Sequence, residues 1–304
     1  MFHAPPPSPA VGRDSPAEHP LTSALKARAA VFGEPSPSTG PFGADWLSLD
    51  RLQEPGAPGL EAMLAAQALS DPEMDQKTRA AFLVHRYSWH LSAALAVPYL
   101  GFDLYPDFSS AKVAIPSPGA AAEPLAAARY RIRLLDRHFF TAKAALGAHP
   151  DATMLSDREV FRERFRLLLE SHFALLLERL HALSGLAAAA MWRLVGDSLA
   201  AVFLEAGIVL GCGEQAKEEA MAILKVPGSP LNNSQLHFFE VEIPAADPAE
   251  PPLCRSFRAR GGCCRFYKTA GGELCSTCVL ERPENRKRRL EEWLRESFRT
   301  AADS

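Results

Sequence analysis

Four cysteines near the C-terminus constrain the fold of this chain more than any other feature of its sequence. They are Cys263, Cys264, Cys275 and Cys278, so ten residues separate an adjacent pair from the third cysteine and two residues separate the third from the fourth. Four thiolates within sixteen residues make a complete ligand set for one tetrahedral metal ion or one [2Fe–2S] cluster. We therefore expect this segment to fold around a single metal centre.

Zinc and iron–sulfur clusters make different demands on cysteine spacing. Zinc ribbons and fingers use pairs of cysteines separated by roughly two to four residues, because that spacer lets a turn wrap around one ion. Adjacent cysteines tend to point apart, which suits the larger two-iron cluster better. Gly261, Gly262, Gly271 and Gly272 flank the cysteines and allow close approach of backbone N–H groups to sulfur. The spacing favours iron–sulfur over zinc, and a disulfide pair comes third because a reducing compartment keeps thiols free.

The composition indicates a globular protein in such a compartment. The chain has 304 residues, is 47% hydrophobic and carries a net charge of -3, which excludes a strongly basic or strongly acidic protein. Met1–Gly40 is rich in proline and lacks the basic start and apolar stretch of a signal peptide. The most apolar stretch, Leu186–Leu210, carries Arg193, Asp197 and Glu205, so it predicts a buried helix rather than a membrane span. We expect a cytoplasmic location.

The patterning predicts an α+β fold that is mainly α, with a small antiparallel β-sheet beside a helical bundle. Residues 1–42, rich in Pro, Ser and Ala, predict a disordered N-terminal arm. Residues 43–250 predict the helical domain with its sheet, and residues 251–304 predict the cluster-binding segment and a terminal helix.

Capping signals and periodicity place the individual elements. Helices are predicted at 59–70, from Ser70 to the residue before Pro98, from Ser156 to Ser184, at Leu186–Leu210, at Glu214–Leu224 and from Pro283 onward. Strands are predicted at Ala111–Ile115, Arg129–Leu134, His138–Thr141 and Leu236–Ile243, followed by a proline-rich linker into the cysteine region.

The cysteine segment resembles a known family. Arg260–Tyr267 (RGGCCRFY) and Gly271–Cys278 (GGELCSTC) are similar to the C-terminal motif of FhuF-type ferric-siderophore reductases, which has the same Cys-Cys-x10-Cys-x2-Cys spacing. Val279 stands where the family has proline, and a weaker similarity extends to Tyr87–Trp89 and to Met191-Trp192. The resemblance implies a mainly helical, cytoplasmic protein whose [2Fe–2S] cluster, bound by the four cysteines, passes electrons to an iron(III)–siderophore complex.

One electron is enough for that function, because hydroxamate and catecholate oxygens hold iron(III) tightly and iron(II) weakly. The sequence shows no convincing hydrolytic triad or phosphate loop, and none is required. The predicted function is therefore reductive release of iron from a ferric siderophore. Two alternatives remain open: a structural zinc module for protein or nucleic-acid interaction, and an iron–sulfur helper in siderophore metabolism that lacks reductase activity.

Positive charge concentrates around the cysteines. Residues 254–290 hold ten Lys or Arg against three Asp or Glu, a surplus of +7. Arg258, Arg260, Arg265 and Lys268 are predicted to offset the negative charge of a thiolate-bound cluster and to favour its reduced state.

The basic run Arg286–Arg289 is predicted either to dock an acidic electron donor, such as a ferredoxin or a flavin reductase, or to be a solvated helix face. The other expected partner is a ferric siderophore, with the hydroxamate type favoured. Peripheral association with the inner membrane or a siderophore permease is also expected, and nucleic-acid binding is not. Cys212 and Cys254 are left without an assigned role.

Overall fold

The computed structural model of the protein describes residues 18–54, 56–69, 71–117, 131–244 and 252–302. The helices are α1 (Pro20–Phe32), α2 (Leu49–Leu52), α3 (Pro58–Ala66), α4 (Gln76–Phe102), α5 (Arg158–Ser184), α6 (Ala188–Leu210), α7 (Gly213–Leu224) and α8 (Pro283–Ala302). The strands are β1 (Ser38–Thr39), β2 (Trp46–Ser48), β3 (Leu104–Pro106), β4 (Val113–Pro116), β5 (Arg133–Leu134), β6 (Phe139–Thr141), β7 (Ala152–Met154), β8 (His237–Ile243) and β9 (Leu253–Ala259). The predicted α+β class is confirmed.

Two long helices, α4 and α6, pack against each other at the centre of the molecule. The predicted start at Ser70 is wrong, because residues 71–75 are not helical and α4 begins at Gln76, although Ser70 itself lies outside the described residues. Asp75 caps α4 by accepting a hydrogen bond from the Thr78 N–H at 2.7 Å. The predicted stop before Pro98 is wrong, and α4 continues to Phe102. Burial of the whole turn around Pro98 compensates the one hydrogen bond that proline removes.

The predicted disordered arm is wrong for the part of residues 1–42 that the structure describes, and residues 1–17 lie outside that part. α1 packs on α4 and buries Leu21, Ala24 and Leu25 almost completely. Those three positions form one helical stripe, and Pro20 suits the first helical position, where a missing N–H costs nothing. Proline content therefore concealed a short amphipathic helix.

The predicted single sheet divides into three. The first has the strand order β1-β5-β4-β2, the second β3-β6-β7, and β8 and β9 form an antiparallel hairpin. β1 runs parallel to β5 and β7 runs parallel to β6, so the first two sheets are mixed. β5 covers only the end of the predicted strand Arg129–Leu134, whose first two residues lie outside the described ranges. β5 and β6 follow each other in the chain but belong to different sheets, because β6 pairs with β3 and β7.

The C-terminal helix closes against the β8–β9 hairpin. Leu290 and Leu294 of α8 pack with Val241 and Ile243 of β8, while Trp293 meets the Phe257 ring edge-on at 5.7 Å between centroids. The predicted boundary between residues 250 and 251 falls between the two strands of this hairpin, and most of the predicted linker, from Pro244 to Pro252, lies outside the described residues. β9 follows that linker at a position where no strand is predicted. The hairpin leads directly into the cysteine loop. None of the described helices combines the length and apolar character needed to cross a membrane.

His172 of α5 is buried in the bundle and makes two hydrogen bonds. Its Nδ1 lies 2.6 Å from the Phe108 carbonyl oxygen and its Nε2 lies 2.7 Å from the Tyr87 hydroxyl. The carbonyl can only accept, so Nδ1 donates to it, and Nε2 of the neutral ring accepts from Tyr87. Burial lowers the pKa of His172 to about 4, so the ring stays neutral at pH 7.

Acid is expected to destabilise the fold through His172. The unfolded chain takes up the proton at an ordinary pKa of about 6.5, whereas the folded chain resists it until about pH 4. The contribution of neutral His172 to the free energy of unfolding is therefore fully present above about pH 6.5 and is lost as the pH falls towards 4. Between pH 7 and pH 5 the free energy of unfolding should fall by about 2 kcal/mol through this residue. Urea unfolding at both pH values measures this loss. The His172→Gln variant has no ring proton to gain, so its free energy of unfolding should fall by about 2 kcal/mol less than that of the wild type between these pH values. An equal fall in both proteins would contradict the assignment of a neutral ring to His172.

Candidate metal centre

The four cysteines lie on the loop that joins β9 to α8, against the N-terminal parts of α4 and α6. Cys264 and Cys278 are buried, at 7% and 1% exposure, whereas Cys263 and Cys275 are partly exposed. All four are free thiols. One loop therefore carries two sulfurs facing the protein interior and two nearer the surface.

The sulfurs interact in two pairs across the loop. The Cys264 thiol donates a hydrogen bond to Cys275, and the Cys278 thiol donates one to Cys263. The bond from Cys264 lowers the pKa of Cys275 to about 6, with Arg260 adding to the effect, and raises the pKa of Cys264. Since the thiolate is the form that binds metals, Cys275 is prepared for ligation at neutral pH. The adjacent cysteines thus belong to different sulfur pairs, as expected for divergent side chains that share one cluster.

Asp197, fully buried on α6, holds the start of the cysteine loop. Its Oδ1 accepts a hydrogen bond from the Gly261 N–H at 2.7 Å and its Oδ2 accepts one from the Gly262 N–H at 3.0 Å. Both positions need glycine, because a Cβ at Gly261 would lie 1.8 Å from the Asn233 side chain and one at Gly262 would lie 2.9 Å from the Cβ of Arg193. Sequence reasoning missed this role of Asp197; a carboxylate in the middle of an apolar helix was the available signal.

Two arginines lie beneath the Cys264–Cys275 pair. The Nε of Arg260 lies 3.4 Å from Asp197 Oδ2 and its Nη1 lies 3.6 Å from Cys275 Sγ. Arg258 donates from Nη1 to the Asp197 carbonyl oxygen at 2.5 Å. Burial lowers the pKa of Arg258 to about 10. Burial also opposes the charge on Arg260, but the Cys264 sulfur and Asp197 outweigh it and raise its pKa.

The other two predicted charge-compensating residues point elsewhere. Arg265 pairs with Asp75 at 2.8 Å and donates to the Thr78 hydroxyl at 3.0 Å, which fixes the loop to the start of α4. Only its backbone N–H faces the cysteines, 3.3 Å from Cys263 Sγ. Lys268 is exposed and lies over the Tyr267 ring. Of the four predicted residues, Arg258 and Arg260 therefore place their charge at the cysteines.

The four basic residues of the run Arg286–Arg289 on α8 also differ in what they contact. Arg286 donates to the Cys278 carbonyl oxygen at 3.1 Å and Arg289 donates to the Leu274 carbonyl oxygen at 2.6 Å. Lys287 and Arg288 are about 70% exposed. Two of the four residues predicted to dock a donor thus hold the cysteine loop closed, and two remain at the surface.

A second group of ligand-type side chains, His19, His149 and Asp151, lies outside the cysteine loop. The Nδ1 of His19 accepts a hydrogen bond from the Leu21 N–H at 3.2 Å, and the Nδ1 of His149 accepts one from the Asp151 N–H at 3.1 Å. Each neutral ring therefore carries its proton on Nε2, whereas a metal-binding histidine donates from the nitrogen that does not bind the metal. The group caps α1 and fastens it to β7 rather than forming a metal site.

The chemistry around the cysteines fits an anionic sulfur-bound group. Four thiols converge, and the buried Nη2 of Arg260 has no hydrogen-bond partner among the described residues. A buried donor without an acceptor is costly, and the sulfur atoms of a cluster would supply that acceptor.

Residues 260–280 match the family model of the FhuF 2Fe-2S C-terminal domain. The matched segment contains all four cysteines, together with Arg260 and the two glycines that Asp197 binds, Gly261 and Gly262. A search of curated proteins finds no match to the chain. The predicted resemblance and the predicted [2Fe–2S] cofactor are confirmed for this FhuF-type segment. It accounts for the C-terminal loop, and the helical domain upstream lies outside the match.

Proposed function

We propose that this protein is a ferric-siderophore reductase in which Cys263, Cys264, Cys275 and Cys278 bind the cluster. The observation that carries the proposal is the FhuF-type segment itself, with four free thiols on one loop over two buried guanidinium groups. The substrate is an iron(III) complex of a siderophore, with a hydroxamate type favoured by the family resemblance.

A [2Fe–2S] cluster supplies a one-electron carrier whose potential depends on its surroundings. The residues of this chain hold and tune it: Asp197 fixes the loop, Arg260 faces Cys275, and Arg286 and Arg289 tie the loop to α8. A protein or flavin donor gives one electron, and iron(III) of the siderophore complex accepts one. No covalent bond to the protein forms or breaks, so neither a general acid nor a nucleophile is needed.

The exposed edge of the loop supports direct contact with a substrate or a donor. Cys263 and Cys275 are partly exposed, and Phe266 and Tyr267, which follow the first cysteine pair, are 47% and 36% exposed. Lys287 and Arg288 on α8 offer positive charge to an acidic donor such as a ferredoxin.

A single-turnover assay tests the proposed activity. Protein reduced without oxygen, and freed of excess reductant, is mixed with a ferric tris-hydroxamate and a colour-forming iron(II) chelator. We expect one iron(II)–chelator complex for each electron held by the protein, together with return of the oxidised cluster spectrum. Cys264→Ala protein treated identically is the control and should give only the background rate.

Two results would contradict reduction of siderophores. A reduced cluster that stays reduced in the presence of the ferric complex would favour the iron–sulfur helper without reductase activity. Equal iron(II) formation by wild type and Cys264→Ala would show that electron transfer bypasses the cluster.

A further inference from the structure

The polar groups beneath the Cys264–Cys275 pair do not balance in charge. Arg260 reaches the carboxylate of the buried Asp197 through its Nε, whereas Arg258 donates to the backbone carbonyl oxygen of the same residue. Both carboxylate oxygens of Asp197 already accept hydrogen bonds from the backbone of Gly261 and Gly262. Two guanidinium groups thus contact one acidic residue, and among the described residues one of the two positive charges faces the cysteines without a counter-charge.

Arg260 has a buried hydrogen-bond donor that finds no partner among the residues that the structure describes, as does Arg258 at its Nε. Arg260 is 6% exposed; its Nε faces Asp197, its Nη1 lies 3.6 Å from Cys275 Sγ, and its Nη2 is buried without a partner in the described part of the chain. Because a guanidinium is planar and its N–H bonds have fixed directions, Asp197 at Nε determines where the two terminal nitrogens point. The group is therefore aimed at the sulfur side of the loop.

We propose that Arg260 donates a hydrogen bond from Nη2 to a sulfur of the cluster on its Cys264–Cys275 side, and that Asp197 is the positioning residue that aims it. This inference rests on the proposed cluster ligands. Reduction adds one negative charge to the cluster beside the Arg260 guanidinium. The positive guanidinium therefore stabilises the reduced form and raises the reduction potential of the cluster. Arg260 then contributes to how readily the protein accepts an electron from its donor, rather than only to holding the loop.

Redox titration of the loaded protein tests the effect on potential. Arg260→Gln removes the charge and is expected to shift the ratio of oxidised to reduced cluster at least tenfold towards the oxidised form at a fixed solution potential, which is about 59 mV for one electron. Lys268→Gln is the matched control, since it removes a charge from the same loop at an exposed position. It should shift the ratio less than about threefold, because solvent screens exposed charges. An unchanged potential in fully loaded Arg260→Gln would overturn the proposal.

A measurement on the wild-type protein covers the case in which Arg260→Gln fails to load. Protein grown with arginine labelled with ¹⁵N in the guanidinium group is reduced with dithionite and examined by pulsed EPR. We expect a guanidinium ¹⁵N coupling to the cluster spin that disappears in Arg260→Lys, which keeps the charge but not the fork of donors. Absence of the coupling in wild type would overturn the proposal. Neither readout uses a siderophore, so failure of the reductase assay leaves this inference intact.

Discussion

Cys264→Ala and Cys275→Ala are each expected to yield protein with little or no cluster. These two cysteines form the sulfur pair that faces Arg260, and loss of either leaves three thiolates for a group that needs four. The hydrogen bond from Cys264 also supports the thiolate form of Cys275. Iron and acid-labile sulfide per chain, measured after anaerobic purification, should fall from near-full occupancy in wild type to near zero in both variants.

Two cysteines outside the motif serve as controls for that experiment. Cys254 is exposed on β9, with its sulfur 3.9 Å from Glu240 Oε2, and Cys212 precedes α7. Cys254→Ala and Cys212→Ala should retain the wild-type content of iron and sulfide. Loss of the cluster in Cys254→Ala would make Cys254 a ligand and contradict the proposed set, as would a fully loaded Cys275→Ala.

Asp197→Ala is expected to be the most destabilising single change among charged residues near the site. It leaves the buried Arg260 guanidinium without its carboxylate and the N–H groups of Gly261 and Gly262 without their acceptors. Removing one partner of a buried ion pair typically costs about 3–5 kcal/mol. Urea unfolding of the cluster-free protein measures this cost separately from the contribution of the metal.

Glu205→Gln is the matched control on the same helix. Glu205 pairs with Arg255 at 2.9 Å, but its side chain is 44% exposed, so its loss should cost no more than about 1 kcal/mol. If Asp197→Ala unfolded at the same urea concentration as Glu205→Gln, the proposed role of Asp197 in holding the loop would be wrong.

The helices that could be predicted are those whose signals are local. α6 and α7 begin and end close to the predicted positions, and α8 begins at the predicted Pro283, because apolar periodicity, glycine and proline act within a few residues of each boundary. α1 was missed because proline-rich composition outweighed the stripe formed by Leu21, Ala24 and Leu25. The pairing of the strands could not be predicted, because strands of two or three residues carry little pattern. Their partners, such as Ser38 and Arg133, are distant in sequence.

The same difference between local signals and contacts of distant residues applies to the site. The grouping of the four cysteines could be predicted because all of them lie within one short loop. Asp197 could not, since its bonds to Gly261 and Gly262 join positions more than sixty residues apart. The charge count predicts positive charge around the cysteines, but it does not predict which basic side chains face the loop and which face solvent. Arg286 and Arg289 face backbone carbonyls of the loop, whereas Lys287 and Arg288 face solvent.

EPR and Mössbauer spectroscopy of anaerobically purified protein test most directly whether the four cysteines bind an iron–sulfur cluster that carries one electron. We predict red-brown protein with iron and acid-labile sulfide in equal amounts. Dithionite should add one electron per chain and produce the EPR signal of a reduced [2Fe–2S] centre, with one ferrous and one ferric site in the Mössbauer spectrum. Colourless protein that holds a single zinc ion and gives no EPR signal after reduction would contradict this and support the structural zinc module.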